Sequence, residues 1–291
     1  IGVPLTLLRA NKEHDIAIIE MGANHENEIK YLCEIAKPNY GIITNIGKAH
    51  LEGFKNIEGV KKTKKELYDY IKINNGKIFI NNEDTILKEI SKDIEIISYG
   101  LNGEINGSIK ESSIFTNVEF NSQIIETQLI GTYQFYNIML SIAVATHFGI
   151  KLKNISKALS SYKPSNNRSQ LIKTKSNTII LDAYNANPSS MYEMINSFSK
   201  IQKKNKICIL GDMAELGEYS KKEHLNLIHL LENLKINCLF VGNEFSKLNS
   251  TGSFFDVENL INYLKKKQIK DSTILVKGSR SIKLEKVIKV L

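Results

Sequence analysis

Glu20, His50 and a group of lysines fall at the ends of apolar runs early in the chain. Glu20 closes the run DIAIIEM, and His50 and Glu52 follow Tyr40-Gly41-Ile42-Ile43, which reads as a buried strand. A helix beginning near Ile57 then carries Lys61, Lys62, Lys64 and Lys65. Two parallel-type strands ending side by side would bring Glu20 and His50 to one edge of a sheet. Open α/β sheets bind ligands at that carboxyl edge, and a carboxylate with an imidazole there suits a hard divalent cation and a phosphate. Each residue taken singly also has a plain reading. Glu20 would be a solvated strand end, His50 a hydrogen-bonded structural histidine, and the lysines a solvated helix face.

A second set lies further along. Asn137 sits just inside a helix, where an ordinary polar surface residue is equally expected. Asp182 ends an apolar strand and is followed by Tyr184-Asn185-Ala186-Asn187-Pro188, with the proline at a helix start. The run LGDMAELG, 210–217, is a strand end followed by an acidic turn, an arrangement that also suits a helix N-terminus. Lys277-Gly278-Ser279-Arg280 stands between a strand and a helix, where backbone N–H groups and two cations suit a carboxylate.

The elements that must position these residues alternate. Strands are expected at 15–21, 40–45, 77–80 and 94–99, with helices at 26–36, 59–71 and 85–90, the signature of a doubly wound parallel sheet. Weak alternation over 105–130 predicts a small, partly antiparallel sheet. Helices at 134–148 and 154–161 follow. The polar stretch YKPSNNR, 162–168, reads as a linker. Beyond it, strands at 178–182, 207–210, 238–241 and 273–276 alternate with helices at 189–201, 221–234, 257–267 and 281–290. The expected organisation is an α/β domain with a parallel sheet and a small extra sheet over 1–164, and a Rossmann-like α/β domain over 165–291. The two are expected to move as units about 165–168.

Composition narrows the class. The chain has 291 residues, of which 42% are hydrophobic, enough for ordinary cores and unlike a disordered protein. No apolar run approaches the roughly 20 residues that span a bilayer, and no basic segment precedes the short apolar run at the N-terminus, so no signal peptide is expected there. Cys33, Cys208 and Cys238 are scattered, without a C-x-x-C pair, and fit a reducing cytoplasm. The net charge of +8 invites a nucleic-acid reading. The lysines, however, are spread over helix faces, the chain has no Trp, and no basic stripe is interleaved with aromatics. Basic charge would also gather anionic substrates.

The motifs EMGA, TNIGKAHLEGF and K-x-E-L-Y, followed by LDAYNANPSSM, LGDMAELGE and VKGSR, occur in an order that resembles the Mur ligases, ATP-dependent enzymes that add amino acids to the peptidoglycan precursor. The later motifs resemble the branch that adds D-alanyl-D-alanine to UDP-N-acetylmuramoyl-tripeptide. The resemblance covers the whole chain and implies that 1–164 is a truncated P-loop-type central ATP-binding domain, incomplete at its N-terminus. It implies that Glu20 and His50 serve a magnesium site and that Lys64, the lysine in register with the family's K-x-E-[IL]-[FY] pattern, is carbamylated and supplies a further oxygen ligand. Such a lysine must be partly neutral to react with carbon dioxide, which needs a depressed pKa. The resemblance further implies that Asn137 bonds adenine and that Arg168 reaches the ATP phosphates, a bidentate task for a planar guanidinium. Asp182 would take the ribose hydroxyls, with Tyr184 and Asn185 lining the nucleotide site. Lys277, Ser279 and Arg280 would hold the incoming dipeptide or the acyl intermediate. Where the family often has G-x-H-N, this chain reads Gly131-Thr132-Tyr133-Gln134.

The implied activity is a cytoplasmic, monomeric ATP- and Mg2+-dependent amide ligase of cell wall synthesis, and hence of cell shape and division. No P-loop pattern G-x-x-G-K-[ST] occurs in the chain. The expectation is a fragment without its UDP-binding domain and P-loop, folded but inactive alone. The alternatives are another Mur-type ligase, a folylpolyglutamate synthase-like ligase, and an inactive binding fragment.

Overall fold

The computed structural model describes residues 1–48, 51–110, 114–248 and 251–291. His50 lies outside them. The chain divides into two compact units, one formed by Ile1–Ser108 with Tyr136–Ile155 and the other by Ile109–Phe135 with Ser156–Leu291.

In the first unit, helix α1 (Gly2–Leu7) and an extended segment lead to α2 (Glu28–Ala36), strand β1 (Tyr40–Ile42), the short α3 (Leu51–Phe54), α4 (Ile57–Ile73), β2 (Lys77–Asn81), α5 (Thr85–Ile90), β3 (Glu95–Gly100) and β4 (Ile105–Asn106). The four strands form one parallel sheet in the order β1-β2-β3-β4. α4 starts where the Asn56 side chain accepts the Gly59 N–H. Its buried Val60, Tyr68 and Ile71 follow helical spacing, and Tyr68 and Ile71 pack with Ile43, Ile78, Ile80 and Leu87 as the core of this unit. α5 is capped by Asp84, whose carboxylate accepts the Leu87 N–H.

The expected strand at 15–21 joins no ladder among the described residues. A strand needs a neighbour for its N–H and C=O groups. This run has none among the described residues, and Ile16 and Ile18 on it are exposed.

The small sheet is β5 (Ser108–Lys110), β6 (Asn117–Phe120) and β7 (Gln123–Ile125). β6 and β7 are antiparallel, joined at Asn121 and Ser122, both with positive φ as a two-residue primed turn requires. α6 (Gln134–His147) and α7 (Leu152–Ser161) follow.

The second unit continues with β8 (Gln170–Lys173), β9 (Asn177–Asp182), α8 (Pro188–Lys200), β10 (Lys206–Gly211), α9 (Ser220–Asn233), β11 (Asn237–Val241), α10 (Asn243–Lys247), β12 (Ser253–Phe254), α11 (Val257–Lys266) and β13 (Ser272–Lys277). Its sheet runs β12-β11-β10-β13-β9-β8, parallel except for β8, which pairs antiparallel with β9. The antiparallel pair sets Leu171 opposite Ile180. The core includes Ile179, Leu181, Ile209, Val241, Leu260, Leu264, Ile274 and Val276. α8 begins with a reciprocal cap between Asn187 and Ser190 and has Pro188 in its first turn. The stretch expected as a helix at 281–290 forms two short 3-10 segments, Arg280–Ile282 and Leu284–Val290. Lys283 between them adopts φ 58°, which breaks the α-helical path.

Candidate functional site

In the first unit, Glu20 lies on the extended segment and is exposed, with no partner among the described residues. Lys64 projects from α4 and donates from Nζ to the Asn45 carbonyl at 2.6 Å. It is half-buried, and desolvation holds its pKa below the usual lysine value. Its neighbours behave differently. Lys61 bonds Glu89 at 3.0 Å and Lys62 bonds Glu26 at 2.7 Å; these hydrogen bonds raise both pKa values. Lys65 pairs with Asp69 along the helix. Lys64 alone of the four is turned toward backbone rather than toward a carboxylate. Asn137 lies on the exposed side of α6, where its carbonyl accepts the Ser141 hydroxyl. Among the described residues no three His, Cys, Asp or Glu side chains gather as a metal-binding group.

In the second unit the strand register does the positioning. Lys277 ends β13 directly beside Asp182 at the end of β9. The ammonium bonds Asp182 Oδ2 at 2.6 Å and the Asn185 carbonyl at 3.2 Å, with the lysine side chain 3% exposed and that of the aspartate 15%. An ion pair this deep stands only because further hydrogen bonds surround it. The other carboxylate oxygen of Asp182 accepts the Ser169 N–H at 3.0 Å, with the Ser169 hydroxyl at 3.4 Å. Arg168 lies one residue away. Its guanidinium carbon stands 3.9 Å from the centre of the Tyr184 ring, a cation–π stack. Arg168, Asp182, Tyr184, Asn185 and Lys277 are therefore brought together at the carboxyl edge of one sheet.

Ser279 and Arg280 are engaged elsewhere. Ser279 is buried; its hydroxyl donates to the Asp212 carbonyl at 2.6 Å and accepts the Ala214 N–H at 2.8 Å. It clamps the loop after β10. Arg280 pairs with Glu285 at 3.3 Å. Two close approaches shape this edge. A Cβ on Gly278 would lie 2.8 Å from the Gly211 Cα, and one on Gly242 would lie 2.3 Å from the Asp212 carboxylate.

Sequence reasoning assigned no role to Asp212 or His224. Asp212 accepts the N–H groups of Glu244 and Phe245, at 2.9 and 3.1 Å, and so caps α10. Burial pushes its carboxyl up, against the lowering pull of those two N–H groups. His224 is fully buried; Nε2 accepts the Met213 N–H at 3.1 Å and Nδ1 lies 2.7 Å from the Ser220 carbonyl. A ring that accepts at one nitrogen and donates at the other is the neutral tautomer, so the 3.7 Å approach of Nε2 to Asp212 is not an ion pair. The acidic turn LGDMAELG was the signal for this loop. Nothing local in the sequence links it to His224.

Known proteins share this fold. Residues 1–145 match the family described as Mur ligase middle domain, and residues 167–280 match Mur ligase, glutamate ligase domain. A UDP-N-acetylmuramoyl-tripeptide--D-alanyl-D-alanine ligase of Buchnera aphidicola subsp. Baizongia pistaciae is 35% identical over 100% of this chain and 67% of its own length. The solved structure of MurF from Acinetobacter baumannii superposes with a TM-score of 0.87 at 29% identity, covering 99% of this chain and 67% of that one. MurF ligase from Thermotoga maritima in complex with ADP gives a TM-score of 0.84 at 26% identity, over 99% of this chain and 70% of that one. The chain spans about two thirds of the length of such relatives. With both domain families matched in order, and a relative aligned from end to end, the chain belongs to the Mur ligase family.

Proposed function

We propose that this chain supplies part of an ATP-dependent ligase that joins D-alanyl-D-alanine to UDP-N-acetylmuramoyl-tripeptide in peptidoglycan precursor synthesis. The reading rests on the 35% identical relative of that name, aligned over the whole chain. In the reaction, an oxygen of the tripeptide's terminal carboxylate attacks the γ-phosphorus of ATP and ADP leaves. The dipeptide amine then attacks the acyl carbon, loses a proton, and phosphate departs with the carboxylate oxygen. Positioning and charge neutralisation are the enzyme's main tasks in such transfers.

Within this reading, Asn137 bonds adenine and Asp182 takes the ribose hydroxyls. A carboxylate has about four acceptor sites, so Asp182 can serve Lys277, Ser169 and a hydroxyl together. Tyr184 and Asn185 line the nucleotide site. The stack on Tyr184 supports Arg168 in the phosphate role, since it holds the guanidinium plane while leaving an N–H edge for oxygens. Lys277 has three N–H donors and uses two within the protein, which suits the third to the dipeptide carboxylate or the acyl intermediate. Ser279 shapes that loop, and Arg280 adds positive charge beside it.

Magnesium is a hard cation that prefers oxygen, which Glu20 and a carbamylated Lys64 would supply; the His50 imidazole would be the unusual ligand. Glu20 offers a carboxylate that no described residue engages, and His50 joins it in the family pattern. Lys64 offers oxygens once carbamylated, and its desolvated setting suits that change. The ion would offset phosphate charge. The enzyme would act as a cytoplasmic monomer, and through the cell wall on cell shape and division.

The test is ADP release by the natural polypeptide carrying this chain, given ATP, UDP-N-acetylmuramoyl-tripeptide and a panel of acceptors. Release that depends on D-alanyl-D-alanine is expected. Release with glutamate alone, on a folate substrate, would replace this reading with a folylpolyglutamate synthase-like one.

A further inference from the structure

The loop between Glu20 and α2 is held by a carboxylate from another helix. α2 has no cap of its own: Asn27 occupies the N-cap position at φ 68°, and its side chain makes no capping hydrogen bond. The first N–H groups of a helix lack partners within it, and the N-cap side chain ordinarily takes the N–H of the second or third helical residue. Here the third helical residue is Lys30, and its N–H donates to Glu66 Oε2 at 2.9 Å. The Asn27 N–H donates to Glu66 Oε1 at 2.7 Å. Both oxygens of Glu66 are thus spent on the start of α2, where the helix dipole also favours negative charge.

Glu66 belongs to α4, two residues after Lys64. Residues two apart on a helix point about 200° apart around its axis. One side of α4 can therefore grip α2 while the Lys64 ammonium reaches the Asn45 carbonyl on another. Neighbouring contacts hold the same loop. Glu28 accepts the N–H groups of Asn24 and His25 at 2.7 and 3.1 Å. Gly53 comes so near that a Cβ there would lie 2.2 Å from the Asn24 carbonyl oxygen. The salt bridge from Lys62 to Glu26, at 2.7 Å, is a second tie from α4, but it is exposed and screened.

We propose that Glu66 is a positioning residue that fixes the Glu20-bearing segment against α4, and so sets Glu20 and Lys64 at the spacing a magnesium ion requires. A cap from within the loop would order α2 alone. A cap from α4 ties α4, which carries Lys64, to α2, the helix that follows the segment bearing Glu20. The inference rests on the assignment of Glu20 and Lys64 to magnesium made above. Groups that orient metal ligands typically change metal affinity by about 10- to 100-fold when removed.

The test compares Glu66→Ala and Glu66→Gln with Asp84→Ala, which removes the cap of α5 and leaves α2 untouched. In the natural polypeptide carrying this chain, the Mg2+ concentration for half-maximal ligation is measured, together with amide hydrogen exchange at Asn27 and Lys30. Glu66→Ala should raise the Mg2+ requirement about tenfold and speed exchange at both amides, with Glu66→Gln between it and wild type. Asp84→Ala should lower thermal stability without either change. Equal Mg2+ dependence in the Glu66 and Asp84 variants would overturn the proposal, as would unchanged exchange at Asn27 and Lys30. Should Glu66→Ala not fold, Glu66→Gln decides by the same two readouts. A wild type indifferent to Mg2+ would instead defeat the magnesium assignment itself.

Discussion

At the scale of single residues, the lysine cluster separates by environment. Exposed pairs such as Lys62–Glu26 are worth about 0–1 kcal/mol, so Lys62→Ala should leave turnover of the natural polypeptide within about twofold. Lys64→Ala should lower it by roughly 10²- to 10³-fold, the scale of losing one group that stabilises developing charge, and formate or acetate should restore part of it. Harm from Lys62→Ala with a silent Lys64→Ala would show that the motif is read in the wrong register. The depressed pKa of Lys64 has a thermodynamic consequence. The unfolded chain holds this proton up to about the ordinary lysine value of 10.5, while the folded chain releases it earlier. Through that interval the unfolded state binds more protons, so this group's contribution to stability rises with pH. Lys64→Met removes the cost of the desolvated charge. Its urea-midpoint gain over wild type should be larger near about pH 8 than near about pH 10.5. A constant difference would contradict the depression. The motif made Lys64 legible in the sequence. Its desolvation was not, because that depends on chain segments distant from α4. Ser279 shows the converse: it was legible as a loop residue, but its partners Asp212 and Ala214 lie on another strand's loop.

At the scale of elements, the strand ends of the second unit are fixed by contacts that leave little room for change. Lys277→Met would leave Asp182 as a buried carboxylate without its cation, and should cost about 3 kcal/mol of stability in urea titration. Adding Asp182→Leu to it should recover much of the loss, since the uncompensated charge goes too. If the double variant is the less stable of the two, the pair is not governed by desolvation. Gly242→Ala meets two obstacles, φ +128° and the Asp212 carboxylate. A loss of roughly 3 kcal/mol or more is expected, and a loss below about 0.5 kcal/mol would show that the loop relaxes freely. Most helices and strands were legible from apolar spacing and alternation, α5 among them; its Asp84 cap came only with the structure. The run at 15–21 has strand composition but no ladder neighbour among the described residues, and composition cannot supply one. The C-terminal run at 281–290 has helical apolar spacing, yet the left-handed Lys283 turns it into 3-10 segments. β8 lies just past the linker read at 162–168, in a stretch to which the sequence reading assigned no element.

For the whole molecule, alternation of strand and helix made two α/β sheets legible, and ordered motifs made the family legible. The grouping of 109–135 with 156–291 was not, because it depends on contacts between segments far apart in sequence. The proposed activity makes one atom traceable. If the tripeptide's carboxylate attacks ATP, one of its oxygens must leave as phosphate when the dipeptide amine closes the amide. The decisive measurement uses UDP-N-acetylmuramoyl-tripeptide labelled with 18O in its terminal carboxylate, with ATP and D-alanyl-D-alanine, on the natural polypeptide carrying this chain. The products are read by mass spectrometry. The expected result is one 18O in the phosphate for each amide formed, and no phosphate when the peptide substrate is omitted. Amide formed alongside unlabelled phosphate, or labelled phosphate with no amide to D-alanyl-D-alanine, would contradict the account.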